Sequence, residues 1–173
     1  EIYGFPPNKQ YVFQHPPGFN QKSGGFEPLF SFARGGLAQA WTGGSYPFDD
    51  NDLNDFPFKY NDLEPYYSLI TERIGIVGEE DDLARFFPLH GNLIPPLDFD
   101  ESSQILWDNY HKKRDALLKK TGVYLGRSRV AVLSRDLGER KACDYSGRCL
   151  WGCPSDSLYV PALTLEECKK YSN

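Results

Sequence analysis

The sequence predicts an incomplete mixed α/β fold: two helices, one strand and long connecting loops. Three observations carry this. Apolar residues recur at helical spacing over 61–75 and 101–122. The run Arg129-Val130-Ala131-Val132-Leu133-Ser134 alternates enough for a strand. Thirteen prolines and sixteen glycines among 173 residues leave much of the chain to loops.

In the first helix, Leu63, Tyr66, Tyr67, Ile70 and Ile74 fall near one face, with Asn61 or Asp62 as the cap, Glu64 as early negative charge and Gly75 as the stop. In the second, Ile105 or Leu106, Tyr110, Arg114, Leu117 and Leu118 keep the helical interval. Ser102 or Ser103 is the expected cap, Lys119 and Lys120 suit the C-terminal end, and Gly122 ends it. Thr164-Leu165-Glu166-Glu167 has capping-box spacing and opens a short third helix, too short to be stable alone. The expected organisation is a single segment, 1–173. It comprises an irregular arm (1–32), a glycine-paired motif (33–60), a helical part (61–122), and a strand with a Cys-rich loop (123–163). The lack of any methionine is expected of a processed product or an excerpt.

A net charge of -5 argues against a general nucleic-acid binder, which carries a basic face. No apolar run approaches the roughly 18 residues of a membrane span. The compartment stays open: soluble, and either cytoplasmic or secreted/periplasmic.

The stretch Ala33–Phe48 holds two glycine pairs, Gly35-Gly36 and Gly43-Gly44, around Leu37–Trp41. Such pairs often mark tight turns. They also permit backbone N–H groups to approach a phosphate or a flat cofactor, with Tyr46, Pro47 and Phe48 placed to wall the site. Of the three histidines, His111 reads as a surface or packing residue of the long helix and His15, before two prolines, as a loop residue. A cleft-lining role is open to His90, before Gly91, but is not expected. Cys143, Cys149 and Cys153 form C-x5-C-x3-C, with Cys168 further on. Three readings stand for them: structural thiols or a disulfide, a zinc site, or an iron-sulfur cluster.

The ordered motifs resemble the glucose-methanol-choline (GMC) flavin oxidoreductases. The family pattern GG-S/T-x-x-H-W-G-G is matched by Gly35-Gly36-Leu37-Ala38-Gln39-Ala40-Trp41-Thr42-Gly43-Gly44. The pattern ending L-E-P-Y-Y is matched by Leu63-Glu64-Pro65-Tyr66-Tyr67, and L-G-V-x-G by Ile74-Gly75-Ile76-Val77-Gly78. The loop Cys143–Pro154 is similar to the family's cysteine loop, with Ser146 in place of one cysteine, and some cluster-bearing members share C-x5-C-x3-C-P. The resemblance covers about residue 30 onward.

It implies a central part of a Rossmann-like FAD-binding α/β fold with irregular extensions, in an enzyme that moves hydride from an alcohol or sugar CH-OH group to flavin. By similarity Gly35, Gly36, Gln39, Ala40, Trp41, Thr42, Gly43 and Gly44 line the FAD. Ala40 replaces the histidine that some members bond to flavin, so non-covalent FAD is expected. The G-x-G-x-x-G turn and the family's catalytic histidine have no counterpart here, so the catalytic residues stay unknown. Flanking segments or a companion chain are expected to complete the site. The alternatives are an aromatic-rich carbohydrate-binding or structural module without catalysis, and a degenerate relative that keeps only the fold.

Overall fold

A computed structural model describes residues 5–22, 24–26 and 28–172. Its regular structure is helical. Three α-helices, α1 (Tyr60–Ile74), α2 (Glu101–Thr121) and α3 (Pro161–Cys168), are joined by 3-10 turns at Pro7–Phe13, Gly36–Ala40 and Asp82–Arg85. The mixed α/β expectation is thereby corrected, and with it the Rossmann-like FAD-binding fold: among the described residues there is no laddered sheet, only isolated bridges.

The reason is visible around Val130–Leu133. Ala131, Val132 and Leu133 are buried as a core strand would be. Yet Val130 bridges both Gly44 and Val77, Val132 bridges Leu158, and Val77 bridges Ile94, one residue at a time. Each partner segment is broken at once. Gly43 and Gly75 turn through positive φ (82° and 72°). Pro47 and the pair Pro95-Pro96 follow the paired residues, and prolines have no N–H to continue a ladder. The result is a knot of extended segments. Val77, Ile94 and Leu133 form one apolar cluster, and Ile74, Ile76 and Ala131 form another, packed against Trp41, Leu93 and Tyr159.

α1 forms near the expected residues and stops at Gly75. Its start is held by two carboxylates: Asp62 accepts the Lys59 N–H at 2.8 Å and Asp50 accepts the Tyr60 N–H at 2.8 Å. Its inward face differs from the one expected. Thr71 and Ile74 are buried, whereas Tyr66, Leu69 and Ile70 are 66%, 59% and 47% exposed.

α2 is capped by Asp100, which accepts the Ser103 N–H at 2.6 Å, in place of either serine, and Gly122 closes it in the left-handed region. Only Tyr110 is buried along it. It docks on the 3-10 turn Asp82–Arg85 rather than on another α-helix. The Asp82 carboxylate accepts Tyr110 OH (2.5 Å) and the Arg114 fork (Nε and Nη2, both 2.6 Å). At the other end of α2, the Arg127 guanidinium stacks 3.5 Å from the Phe99 ring centre and 5.9 Å from that of Trp107, and donates to Leu97 O. The third helix begins at Pro161, earlier than the capping-box spacing placed it, because proline suits a first helical position. Thr164 instead bonds the Tyr159 hydroxyl at 2.8 Å.

The Asp82 contact gives a pH signature. The Arg114 guanidinium, with help from Tyr110 OH, holds the Asp82 carboxyl at about 2, below its ordinary 3.8. A depressed carboxyl pKa stabilises the folded state above the unfolded value, and that contribution fades as pH falls through the folded one. An acid titration followed by far-UV circular dichroism is therefore expected to show α2 loosening between about 4 and about 2. The Asp82→Asn variant lacks that step and starts from a lower stability at neutral pH. An unchanged acid limb in the variant would refute the assignment.

Candidate functional site: an aromatic cleft beside α1

One glycine of each pair does approach something closely, and it is the chain itself. A Cβ on Gly35 would lie 2.1 Å from Gln39 Nε2. Gln39 is 7% exposed and its amide nitrogen has no hydrogen-bond partner among the described residues. A Cβ on Gly43 would lie 2.8 Å from Leu158 Cδ1 and 3.3 Å from the Ala131 nitrogen. Gly43 O accepts the Ala131 N–H at 2.7 Å, and Ser45 N–H donates to Arg129 O at 2.9 Å. Gly36–Ala40 forms a 3-10 turn against Pro7–Phe13 and α3, with Lys9 Nζ donating to Gln39 O at 2.8 Å. Ala40 is buried and Thr42 exposed. Of the eight residues expected to line FAD, only Trp41 reaches the cleft described next.

That cleft, about 280 Å³, runs between α1 and the segment following Gly44. Trp41, Tyr46, Pro47, Tyr67, Ile70 and His90 form most of its wall, which is chiefly apolar. The Trp41 indole N–H donates to Tyr159 O at 2.7 Å, fixing the ring. Tyr46 lies 4.6 Å from the Phe87 ring centre, and Tyr67 stacks on Tyr60 at 6.2 Å with an interplanar angle of 21°. The Tyr67 hydroxyl accepts the Phe48 N–H at 3.3 Å, tying the two walls together.

The segment from Phe87 to Asn92 closes one end and is pinned by polar contacts. Arg129, 3% exposed, donates to Pro88 O (2.7 Å) and Phe87 O (2.6 Å). Tyr60 OH donates to Leu89 O at 2.6 Å, and Gly91 N–H donates to Ser68 Oγ at 2.8 Å. His90 lies between Tyr67 and Thr71, with Nδ1 3.2 Å from Gly91 O and 3.4 Å from Thr71 Oγ1. A carbonyl accepts only, so the Gly91 contact is a hydrogen bond in the tautomer with the proton on Nδ1. Burial, with the nearby Arg129 charge, pushes the imidazole below its ordinary 6.5 and outweighs the Gly91 contact. His90 is thus a neutral wall residue near pH 7. It lines the cleft against expectation, because a contact with Thr71 of α1, 19 residues away in the sequence, leaves no local pattern. His111 packs on Trp107 (4.5 Å) and His15 against Phe19, Phe30 and Phe32, so neither joins it.

The cysteines lie elsewhere. All four are free thiols. Among the described residues, no group of three or more His, Cys, Asp or Glu is arranged to hold a metal ion, which corrects the iron-sulfur and zinc readings of Cys143, Cys149 and Cys153. No described helix is long and apolar enough to cross a membrane.

No family model matches the chain, and no curated protein matches it. Together with the absence of a laddered sheet among the described residues, this overturns the GMC resemblance and what hung on it. The assignments corrected are bound FAD, the FAD-dependent oxidoreductase activity, the alcohol or sugar substrate, and a companion chain completing a flavin site.

The glycine geometry makes a direct contrast. Gly43→Ala combines a positive φ with collisions on Leu158 and Ala131, whereas Gly36→Ala meets open space and carries only the left-handed strain, about 1–2 kcal/mol. Urea melts are expected to show Gly43→Ala destabilised well beyond Gly36→Ala. Equal losses would mean that the Gly43 contact is not a tight one.

Proposed function

We propose that the chain is a protein-interaction module that receives a basic amphipathic helix along α1. The supporting observation is Ile70, which lines the aromatic cleft and is also 47% exposed, so cleft and outer helix face are continuous. Tyr66, Leu69 and Ile70 stand three and four residues apart on α1, the spacing at which a ridge packs against another helix. Phe48 and Phe56, 56% and 53% exposed, extend apolar surface toward the start of α1. Asp52, Asp55 and Asp62 are exposed around that end. Exposed carboxylates at one end of an apolar ridge favour a partner with lysine or arginine beside an apolar stripe.

A fluorescently labelled Leu/Lys amphipathic helix is a suitable probe, read by anisotropy at low and physiological salt. Ile70→Arg is expected to weaken binding by about thirtyfold, near 2 kcal/mol. A Leu/Glu version of the peptide should bind more weakly than the Leu/Lys one. Binding that ignores Ile70→Arg, or that prefers the Leu/Glu peptide, overturns the reading.

A further inference from the structure

α2 carries an unpartnered face of its own. Ser103, Trp107, Tyr110, Arg114, Leu117 and Leu118 recur every three or four residues and are its buried or half-buried side. The opposite side is exposed along its whole length. It presents Ile105 and Leu106, 55% and 59% exposed, and then Lys112 and Lys113. Lys119 and Lys120 return to the same side, because seven residues close to two turns. Among the described residues none of these four lysines is ion-paired. Arg114, in the same stretch, turns to the other side and is held by Asp82. An apolar pair with lysines beside it is the chemistry that the α1 cleft favours in a partner.

The charges of the two helices are complementary. From Asp49 to Asp62, five aspartates stand against Lys59 alone. From Lys112 to Lys120, five basic residues stand against Asp115 alone. The spacings match as well. Ile70 lies eight residues from Asp62 on α1, about 12 Å along the axis. Ile105 lies seven residues from Lys112 on α2, about 10 Å along the axis. With α2 antiparallel to α1, Ile105 and Leu106 therefore meet Tyr66 and Ile70 while Lys112 and Lys113 reach the aspartates. Within one chain α1 and α2 do not pack on each other. Both faces are open, so a second copy is the occupant that brings them together.

We propose that α2 of one copy docks on the α1 cleft of another, which rests on that cleft being an interaction site. The two surfaces differ, so the contact is heterologous. Each chain offers one of each, and association continues past pairs unless the geometry closes a ring.

The test follows the full chain by sedimentation velocity from about 1 µM to about 1 mM, at low and physiological salt. The average mass should rise with concentration and fall back as salt screens the charges. Ile70→Arg and Leu106→Glu should each raise the dissociation constant at least about tenfold. Mixed in equal amounts, these two variants should associate again, because the first keeps an intact α2 and the second an intact cleft. Lys112→Glu with Lys113→Glu is a further variant that acts through charge alone and should also dissociate the copies. The Leu/Lys peptide separates the two readings, since Leu106→Glu should bind it as the wild type does. A wild type that binds the peptide yet stays monomeric overturns self-association and leaves the cleft standing. So does association unmoved by Leu106→Glu, or a mixture of the variants that stays apart. Peptide binding indifferent to Ile70→Arg overturns both.

Discussion

Guanidinium groups donating to main-chain carbonyls take the place of sheet ladders in this chain. Arg129 holds Phe87 O and Pro88 O, while Arg140 holds Ile74 O at 2.6 Å, Asp156 O at 2.9 Å and Ser157 O at 3.0 Å. Arg127 holds Leu97 O from beneath the Phe99 ring. Buried irregular backbone must find partners for its polar groups, and an arginine offers five donors in a rigid fork. Burial disfavours the charge of Arg129 and Arg140 and lowers their pKa, but guanidinium stays protonated regardless. The desolvation cost is offset by charge-assisted hydrogen bonds, each roughly 1.5–3 kcal/mol. Arg140 does one thing more. By taking the terminal carbonyl of α1, it joins that helix to the segment that bridges Val132.

The same constraint explains the cleft. Its walls come from segments without a common sheet or helix pair, so their separation must be set by point contacts. Arg129 fixes the segment bearing His90, Trp41 fixes its own ring on Tyr159, and Tyr67 spans to Phe48. Asp81 plays a comparable part on the far side. It caps Leu83 at 2.8 Å, accepts Arg127 N–H at 2.5 Å, and fills the place where a Cβ of Gly126 would stand, 2.5 Å from both its oxygens. Gly126 is thus a site of close approach with no turn geometry to announce it.

Local signals were readable and distant ones were not. α1 and α2 were legible from period and from their glycine stops, since both are properties of consecutive residues. The cap of α2 is Asp100 and neither serine, because an aspartate two residues before Ser102 takes the N–H of Ser103 first. Val130–Leu133 has strand-like composition, but a ladder needs partners that continue, and Pro47 and Pro95-Pro96 deny them. Gly35 and Gly43 make their close approaches to Gln39 and Leu158, and a glycine facing Leu158 and one facing a cofactor look alike in sequence. The apolar pattern groups Tyr66 and Ile70 on one face with Ile74, and the structure buries Ile74 and Thr71 while leaving Tyr66 and Ile70 exposed.

That exposure bears on what α1 can do. Burying a large apolar side chain contributes roughly 1.5–3 kcal/mol, so Tyr66, Leu69 and Ile70 together offer a gain comparable to the lower range of what association costs, about 4–15 kcal/mol. A flat ridge of three side chains would bind weakly at best. The cleft changes the balance, because Trp41, Tyr46 and Tyr67 form a concave apolar wall beside Ile70 that is already rigid before a partner arrives. Preorganised walls lose little side-chain entropy on binding, and a single anchor inserted there desolvates on several sides at once. The interaction surface therefore depends less on the area of α1 than on the arginine and indole contacts that hold the cleft open beside it.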